Sequence, residues 1–297
     1  MPELPDITVY VEALRERVVG ATLEGVRLHT PFLLRSVDPQ LPELVGHRVE
    51  DVSRLGKRIV FAFDDELFAV LHLMIAGRLH WTPLDARAKR RGRAGLAEFQ
   101  FSTGTLTLTE AGTTRRASLY LARNAGALSE MDRGGLEVMD ASAADFASRL
   151  RSENHTLKRS LTDPRLFSGI GNAYSDEILH RARLSPVRLT SKLTDDEIAR
   201  LHAATVAVLA EWTDRLRAES AGAFPEQVTA FRPEMAVHGK FGQPCPVCGA
   251  PVQRIRYASN ETNYCARCQT DGRLLADRAL SRLLKSDWPR SLDELGT

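Results

Sequence analysis

Four cysteines carry the chemistry that their spacing states most directly. Cys245 and Cys248 form one C-x-x-C, Cys265 and Cys268 form another, and sixteen residues separate the pairs. Tetrahedral zinc takes four thiolates, and each C-x-x-C turn supplies two. The intervening VQRIRYASNETNY predicts a hairpin, with Val252, Ile255 and Tyr257 apolar and a polar Ala258–Ser259–Asn260 tip. A zinc ribbon with one structural Zn2+ per chain is the expectation, because so small a unit has no core of its own and the metal must hold it together. Two disulfides are the competing reading, and they would require an oxidising compartment. A ribbon by itself could bind nucleic acid, bind protein or staple the C-terminal part.

Two other stretches have residues placed for chemistry. The opening MPELPDITVY puts Pro2 where removal of Met1 would expose a secondary amine, followed at once by the carboxylate of Glu3. An N-terminal amine gives up its proton more easily than lysine, so it is a usable nucleophile near neutral pH. Proline also suits the first turn of a helix, which explains the same residues without chemistry. In GIGNAYSDEIL, Gly169 and Gly171 precede Asn172 at a helix start. Such a turn can aim backbone N–H groups at a phosphate. Taken alone, the stretch is better read as a plain helix–turn–helix corner.

The surrounding pattern says what must position these groups. Ile7, Val11, Leu14 and Val18 recur at helical spacing and Gly20 follows, which predicts a helix over 6–19. From about 22 to 138 the pattern is one of short strands. RIVFAF and LFAVLHL flank Asp64, Asp65 and Glu66, while EFQF and TLTLTE flank Ser102, Thr103 and Gly104. These hairpins predict an antiparallel β-sandwich. Beyond Gly134 and Gly135 the pattern turns helical. Thr194 to Glu197 is a capping box opening a helix whose Ile198, Leu201, Val208, Leu209 and Trp212 share a face. The fold class is therefore α+β and multidomain. The expected parts are a helix with sandwich at 1–135, a helical domain at 150–235, the ribbon at 236–272 and a helical tail at 273–297.

At 297 residues the chain is long for one core, and 43% hydrophobic with 26% charged residues fits an ordinary folded protein. No apolar run is long enough to cross a bilayer and no secretory leader is visible, so a cytoplasmic location is expected. The net charge of +2 says little, but Arg87, Lys89, Arg90, Arg91 and Arg93 crowd one short stretch. That run suits either a solvated loop or a phosphate contact.

Taken in order, MPELPD, RLGKRIVF around Lys57, GIGNAYSDEIL and the four-cysteine ribbon resemble the formamidopyrimidine-DNA glycosylase / endonuclease VIII family of bacterial base-excision-repair enzymes. The resemblance runs from residue 2 to about 270. It implies a helix–two-turn–helix DNA-binding domain between sandwich and ribbon, and a bifunctional DNA glycosylase/AP lyase. It makes Pro2 the nucleophile that attacks C1′ of a flipped-out nucleotide and forms a Schiff base. Glu3 becomes the acid/base beside it, and Lys57 a strand-borne lysine at the DNA backbone. Asn172 would hold phosphate, and the ribbon hairpin would enter from the minor-groove side. Asp6 stands where the family usually has glutamate, as a cap or as a catalytic group. Tyr174 and Glu177 match the family pattern, yet a buried tyrosine and a helix-start acid explain them as well. DNA with a damaged or abasic nucleotide is the implied partner, the chain acting as a monomer associated with the nucleoid.

Three departures bear on the lesion. Asn260 replaces the arginine that the family carries at the ribbon tip, so a charged phosphate contact is lost unless Arg254 or Arg256 compensates. Of the residues that fill the space behind a flipped base, HLMIAGRL offers Met74 or Ile75 and TTRRASLY offers Arg115 or Arg116, with Arg116 the candidate. Ala117 stands where an aromatic wedge would be. The stretch before the ribbon, AGAFPEQVTAFRPEMAVHGK, lacks the glycine-rich loop that covers the damaged base in some members. The chain also runs 29 residues past Cys268, with Leu274, Leu275, Leu280, Leu283 and Leu284 at helical spacing, and this tail is expected to pack back on the body. The same departures suit a second reading, a damage- or structure-binding protein with reduced catalysis. A third reading, a zinc-stapled protein-interaction module, drops DNA altogether.

Overall fold

The computed structural model describes residues 1–86, 95–111, 114–226, 228, 232–257, 260–276, 283 and 289–295. The basic run Arg87, Lys89, Arg90, Arg91 and Arg93 lies outside the described residues. No described helix is long and apolar enough to cross a membrane. Backbone contacts divide the chain into two units, Met1–Arg133 with Trp212–Thr229, and Gly134–Glu211 with Ala230–Thr297.

In the first unit, α1 (Leu4–Val18) begins two residues earlier than its apolar spacing suggests. Glu3 caps it, with Pro5 in the first turn and Asp6 closing the box from inside. Gly20, at φ +82, ends it. Among the described residues eight strands follow: β1 (Leu23–Leu28), β2 (Val49–Leu55), β3 (Arg58–Phe63), β4 (Leu67–His72), β5 (Gly77–Pro83), β6 (Gly95–Phe101), β7 (Gly104–Glu110) and β8 (Ser118–Arg123), then α2 (Asn124–Ser129). They form two four-stranded antiparallel sheets, β1-β6-β7-β5 and β2-β3-β4-β8. Both expected hairpins are present, β3–β4 and β6–β7. Val52, Ile59 and Leu71 from one sheet and Leu79, Phe99 and Leu106 from the other enclose one core with Ile7 and Leu14 of α1. These apolar inner faces let the two sheets pack against each other.

The strand register decides which loops meet. Arg58 pairs with His72, and His72 pairs with Ser118. The β2–β3 turn, the segment after β4 and the segment before β8 therefore emerge together at one end of the same sheet.

In the second unit, α3 (Ala143–Arg151), α4 (Leu157–Thr162), α5 (Asn172–Arg181) and α6 (Asp195–Ser220) are followed by β9 (Val252–Tyr257), β10 (Asn260–Cys265) and α7 (Ala266–Thr270); the last turns of α6 belong to the first unit. The capping box is formed: Thr194 N–H donates to Glu197 at 2.9 Å and Glu197 N–H to the Thr194 hydroxyl at 3.2 Å. Gly169 takes φ +78 in the turn before α5, and Gly171 caps that helix in extended conformation.

The ribbon hairpin is buried on both faces, because Val252 and Ile255 stand three positions apart and so point to opposite sides of β9. Val252 packs with Cys245 and Cys265, while Ile255 packs with Tyr264, Ala266 and Leu274. The tail returns to that second face. Leu274 N–H donates to Arg290 C=O, and Leu292 N–H to Gly272 C=O. Leu283 is exposed, and Leu280 and Leu284 lie outside the described residues.

Candidate active site

The N-terminal residues sit in the first unit with Pro2 and Glu3 buried. With Met1 in place, the Pro2 nitrogen is a peptide nitrogen, and the Met1 amine one residue ahead reports the local field. Burial lowers the pKa of that amine most; Arg78 and Lys57 lower it further, while Glu3 and Asp6 oppose them. An amine in this place is kept towards its unprotonated form. Glu3 N–H donates to the Asp6 carboxylate at 2.9 Å, and the Glu3 side chain accepts the Asp6 N–H in return. Asp6 is thus a cap.

Lys57 is not on a strand. It occupies the two-residue turn between β2 and β3, behind Gly56 at φ +63. Tight hairpin turns need a positive φ at that first position, which is why glycine stands there and the lysine is carried beyond the sheet end. Its charge also reaches His72, whose pKa is pushed down to about 4 by burial, then by Arg58 and Lys57. His72 and Arg78 were not among the residues that motifs single out.

The segment after β4 is a tight turn. Gly77 N–H donates to Leu73 C=O at 2.9 Å, and a Cβ on Gly77 would lie 2.2 Å from that oxygen. Met74 takes φ +52, Ile75 is 61% exposed, and the Arg78 guanidinium donates to Gly77 C=O at 2.6 Å. The segment before β8 is held by Glu110, whose buried carboxylate accepts the N–H groups of Arg116 and Ala117 at 2.9–3.0 Å. This leaves the Arg116 side chain exposed and turns Ala117 into the core, so no wedge stands at 117. The sheet end thus gathers Lys57, Met74 and Arg116.

In the second unit, Asn172 opens α5 and its Nδ2 donates to Glu261 C=O at 2.9 Å, tying the glycine turn to β10. Asn260 pairs through its backbone with Tyr257. Arg254 stacks on Phe241 at 4.0 Å, and Arg254 and Arg256 both flank Glu261, at 3.5 and 3.4 Å. Tyr174 is buried. Glu177 does more than start a helix: its carboxylate accepts the N–H groups of Ala236, Val237 and His238 at 2.8–2.9 Å. Burial holds its pKa above the usual carboxylate range against the pull of those donors. Beside it, Asp176 accepts from Lys158 at 2.5 Å and meets His238 Nδ1 at 2.8 Å. These contacts fasten the segment leading to the ribbon onto α5.

The four cysteine sulfurs lie within 4.8 Å of one another, with Cys245–Cys268 at 3.9 Å and Cys248–Cys265 at 3.4 Å. Thiolates ~2.3 Å from a tetrahedral zinc would be about 3.8 Å apart, so this donor set fits that ion. A fifth residue reaches the cluster: His180 Nε2, on α5, lies 3.3 Å from Cys245 Sγ. Burial, then Arg181 and Arg183, lowers the His180 pKa, so a neutral ring with its proton on Nε2 can donate to the sulfur.

Residues 1–117 match the family model of the formamidopyrimidine-DNA glycosylase N-terminal domain, 136–218 that of its H2TH domain, and 242–270 that of the zinc finger found in FPG and IleRS. The chain is 30% identical over 281 residues to a formamidopyrimidine-DNA glycosylase of Exiguobacterium sibiricum, covering 91% of this chain and 99% of that one. It is 34% identical over 279 residues to that of Thermus thermophilus, covering 92% and 100%. Among solved structures, Lactococcus lactis Fpg in complex with DNA containing an oxidized pyrimidine superposes with a TM-score of 0.79 at 27% identity, over 91% of this chain and all of that one.

Proposed function

The chain belongs to the formamidopyrimidine-DNA glycosylase family, and from that premise we propose that it is a bifunctional DNA glycosylase and AP lyase. The damaged nucleotide must leave the stack before its C1′ can be reached. Once Met1 is removed, the lone pair of the Pro2 nitrogen bonds to C1′ as the glycosidic bond breaks, and the base leaves with a proton. Glu3 protonates the ring oxygen as the sugar opens, and the nitrogen sheds its own proton to become an iminium. That cation acidifies C2′. Loss of the C2′ proton breaks the C3′–O bond, the phosphate departs and the strand is nicked. Water then hydrolyses the iminium and restores the amine.

The observation that carries this reading is the sheet end. Lys57, Met74 and Arg116 emerge there by strand register, and the N-terminal amine is held below its ordinary pKa chiefly by burial. Lys57 is assigned to phosphate near the lesion, and Met74 and Arg116 to the space left by the flipped base. In the second unit, Asn172 and Arg254 are assigned to the backbone, with Asn260 a weaker contact than an arginine. Cys245, Cys248, Cys265 and Cys268 would hold one zinc ion. The metal supplies folding stability to the ribbon and takes no part in bond breaking.

The test is borohydride trapping on a panel of single-lesion oligonucleotides, wild type against Pro2→Gly. A covalent adduct and strand nicking with wild type, both lost in the variant, are expected. Tight binding to abasic DNA with no adduct and no nick would replace this reading with that of a damage-binding protein.

A further inference from the structure

A groove of about 460 Å3 opens beside β8 in the first unit, lined by Phe32, Leu33, Arg35, Leu96, Arg115 and Ala117. Its lip is unusual for a soluble surface, since Phe32 is 75% exposed. The ring is not on a slack loop. Leu33, next to it in a short 3-10 turn, is buried in the core. Two residues on, Arg35 N–H donates to Leu119 C=O at 2.8 Å, and Leu34 bridges to Leu119. The backbone therefore holds Phe32 on display at a fixed place.

The charge around that ring is one-sided. Among the described lining residues there are two guanidiniums, Arg35 and Arg115, and no carboxylate. Glu110, at the end of the strand before this segment, is buried and engaged with the N–H groups of Arg116 and Ala117. Arg115 is next in the chain to Arg116, one of the residues gathered at the sheet end with Lys57 and Met74.

We propose that this groove holds an unpaired nucleotide of the DNA, its base stacked on Phe32 and its phosphate between Arg35 and Arg115. An apolar aromatic face flanked by positive charge is the combination that takes a base and its phosphate together, without sequence preference. A protein partner would more commonly meet both signs of charge. The inference rests on the DNA-directed reading above and adds a second contact to it, outside the reacting sugar.

The test uses the zinc-loaded full chain and fluorescence anisotropy with a labelled single-stranded oligo-dT and an undamaged duplex of the same length. Phe32→Ala is expected to weaken oligo-dT binding roughly ten-fold and the duplex far less, with Phe32→Trp restoring it. Arg35→Ala and Arg115→Ala should each lower the slope of log K against log salt on oligo-dT by about 0.7. Because Phe32 is exposed, its variants should keep the wild-type melting temperature and still trap abasic DNA with borohydride. Unchanged oligo-dT affinity in all three alanine variants, with wild type still trapped, would overturn the groove and leave the glycosylase reading standing. Wild type that neither binds DNA nor is trapped would overturn both. If Phe32→Ala abolishes self-association in sedimentation but leaves DNA binding intact, the groove is a contact between copies and the proposal fails.

Discussion

The Glu3 N–H donates to the Asp6 carboxylate at 2.9 Å, closing the first turn of α1 directly behind the proposed nucleophile. Pro2 therefore leads into a helix whose first turn is held from both sides. Asp6→Ala leaves the buried Glu3 N–H without this acceptor. Losing such a cap costs about 0.5–2 kcal/mol. We expect that loss in urea unfolding, together with slower single-turnover trapping, and Asp6→Asn should recover most of both. Full activity in Asp6→Ala would mean that the capped turn does not position the proline.

His72 gives a pH dependence with a definite sign. Its folded pKa, about 4, lies below the ordinary imidazole value of ~6.5 that the unfolded chain would show. Between these values the unfolded chain binds more protons. The stability that goes with neutral His72 is whole above pH 6.5 and is lost as pH falls towards 4. Thermal melts of His72→Gln should therefore depend less on pH than wild type across that window. Parallel curves would contradict the buried, neutral ring.

The ribbon should respond to its metal and to His180. A chelator with reductant is expected to remove one zinc per chain and lower the melting temperature. His180→Phe removes the donor that lies 3.3 Å from Cys245 Sγ. Loss of an outer hydrogen bond of this kind commonly weakens metal holding by roughly 10–100-fold. Zinc release to a colorimetric chelator should speed up accordingly, while an unchanged release rate would make the contact incidental.

At the ribbon tip, Asn260→Arg should add a phosphate contact. Binding to abasic duplex is expected to tighten, and the slope of log K against log salt to steepen by about 0.9. An unchanged slope would place residue 260 away from the DNA backbone.

Much of this was legible in the residues themselves. Two C-x-x-C pairs, hairpins around Asp64–Glu66 and Ser102–Gly104, and a Thr194–Glu197 box are local signals, and each formed as read. The errors were local too. The helix begins at Leu4 because Glu3 and Asp6 cap each other, and Lys57 leaves the strand because Gly56 takes a positive φ. Hidden altogether were features set by distant pairing. Arg58, His72 and Ser118 fall in one row only through the register. Glu177 meets residues some sixty positions away, as does His180. No spacing rule marks Phe32, whose exposure follows from Leu33 being anchored in the core.

The most direct measurement locates the covalent bond. Borohydride-trapped protein, digested with trypsin, should give an adduct on the peptide from Pro2 to Arg15, at a mass lacking Met1. A trapped sugar on a lysine-bearing peptide instead, or active protein that retains its initiator methionine, would contradict the account.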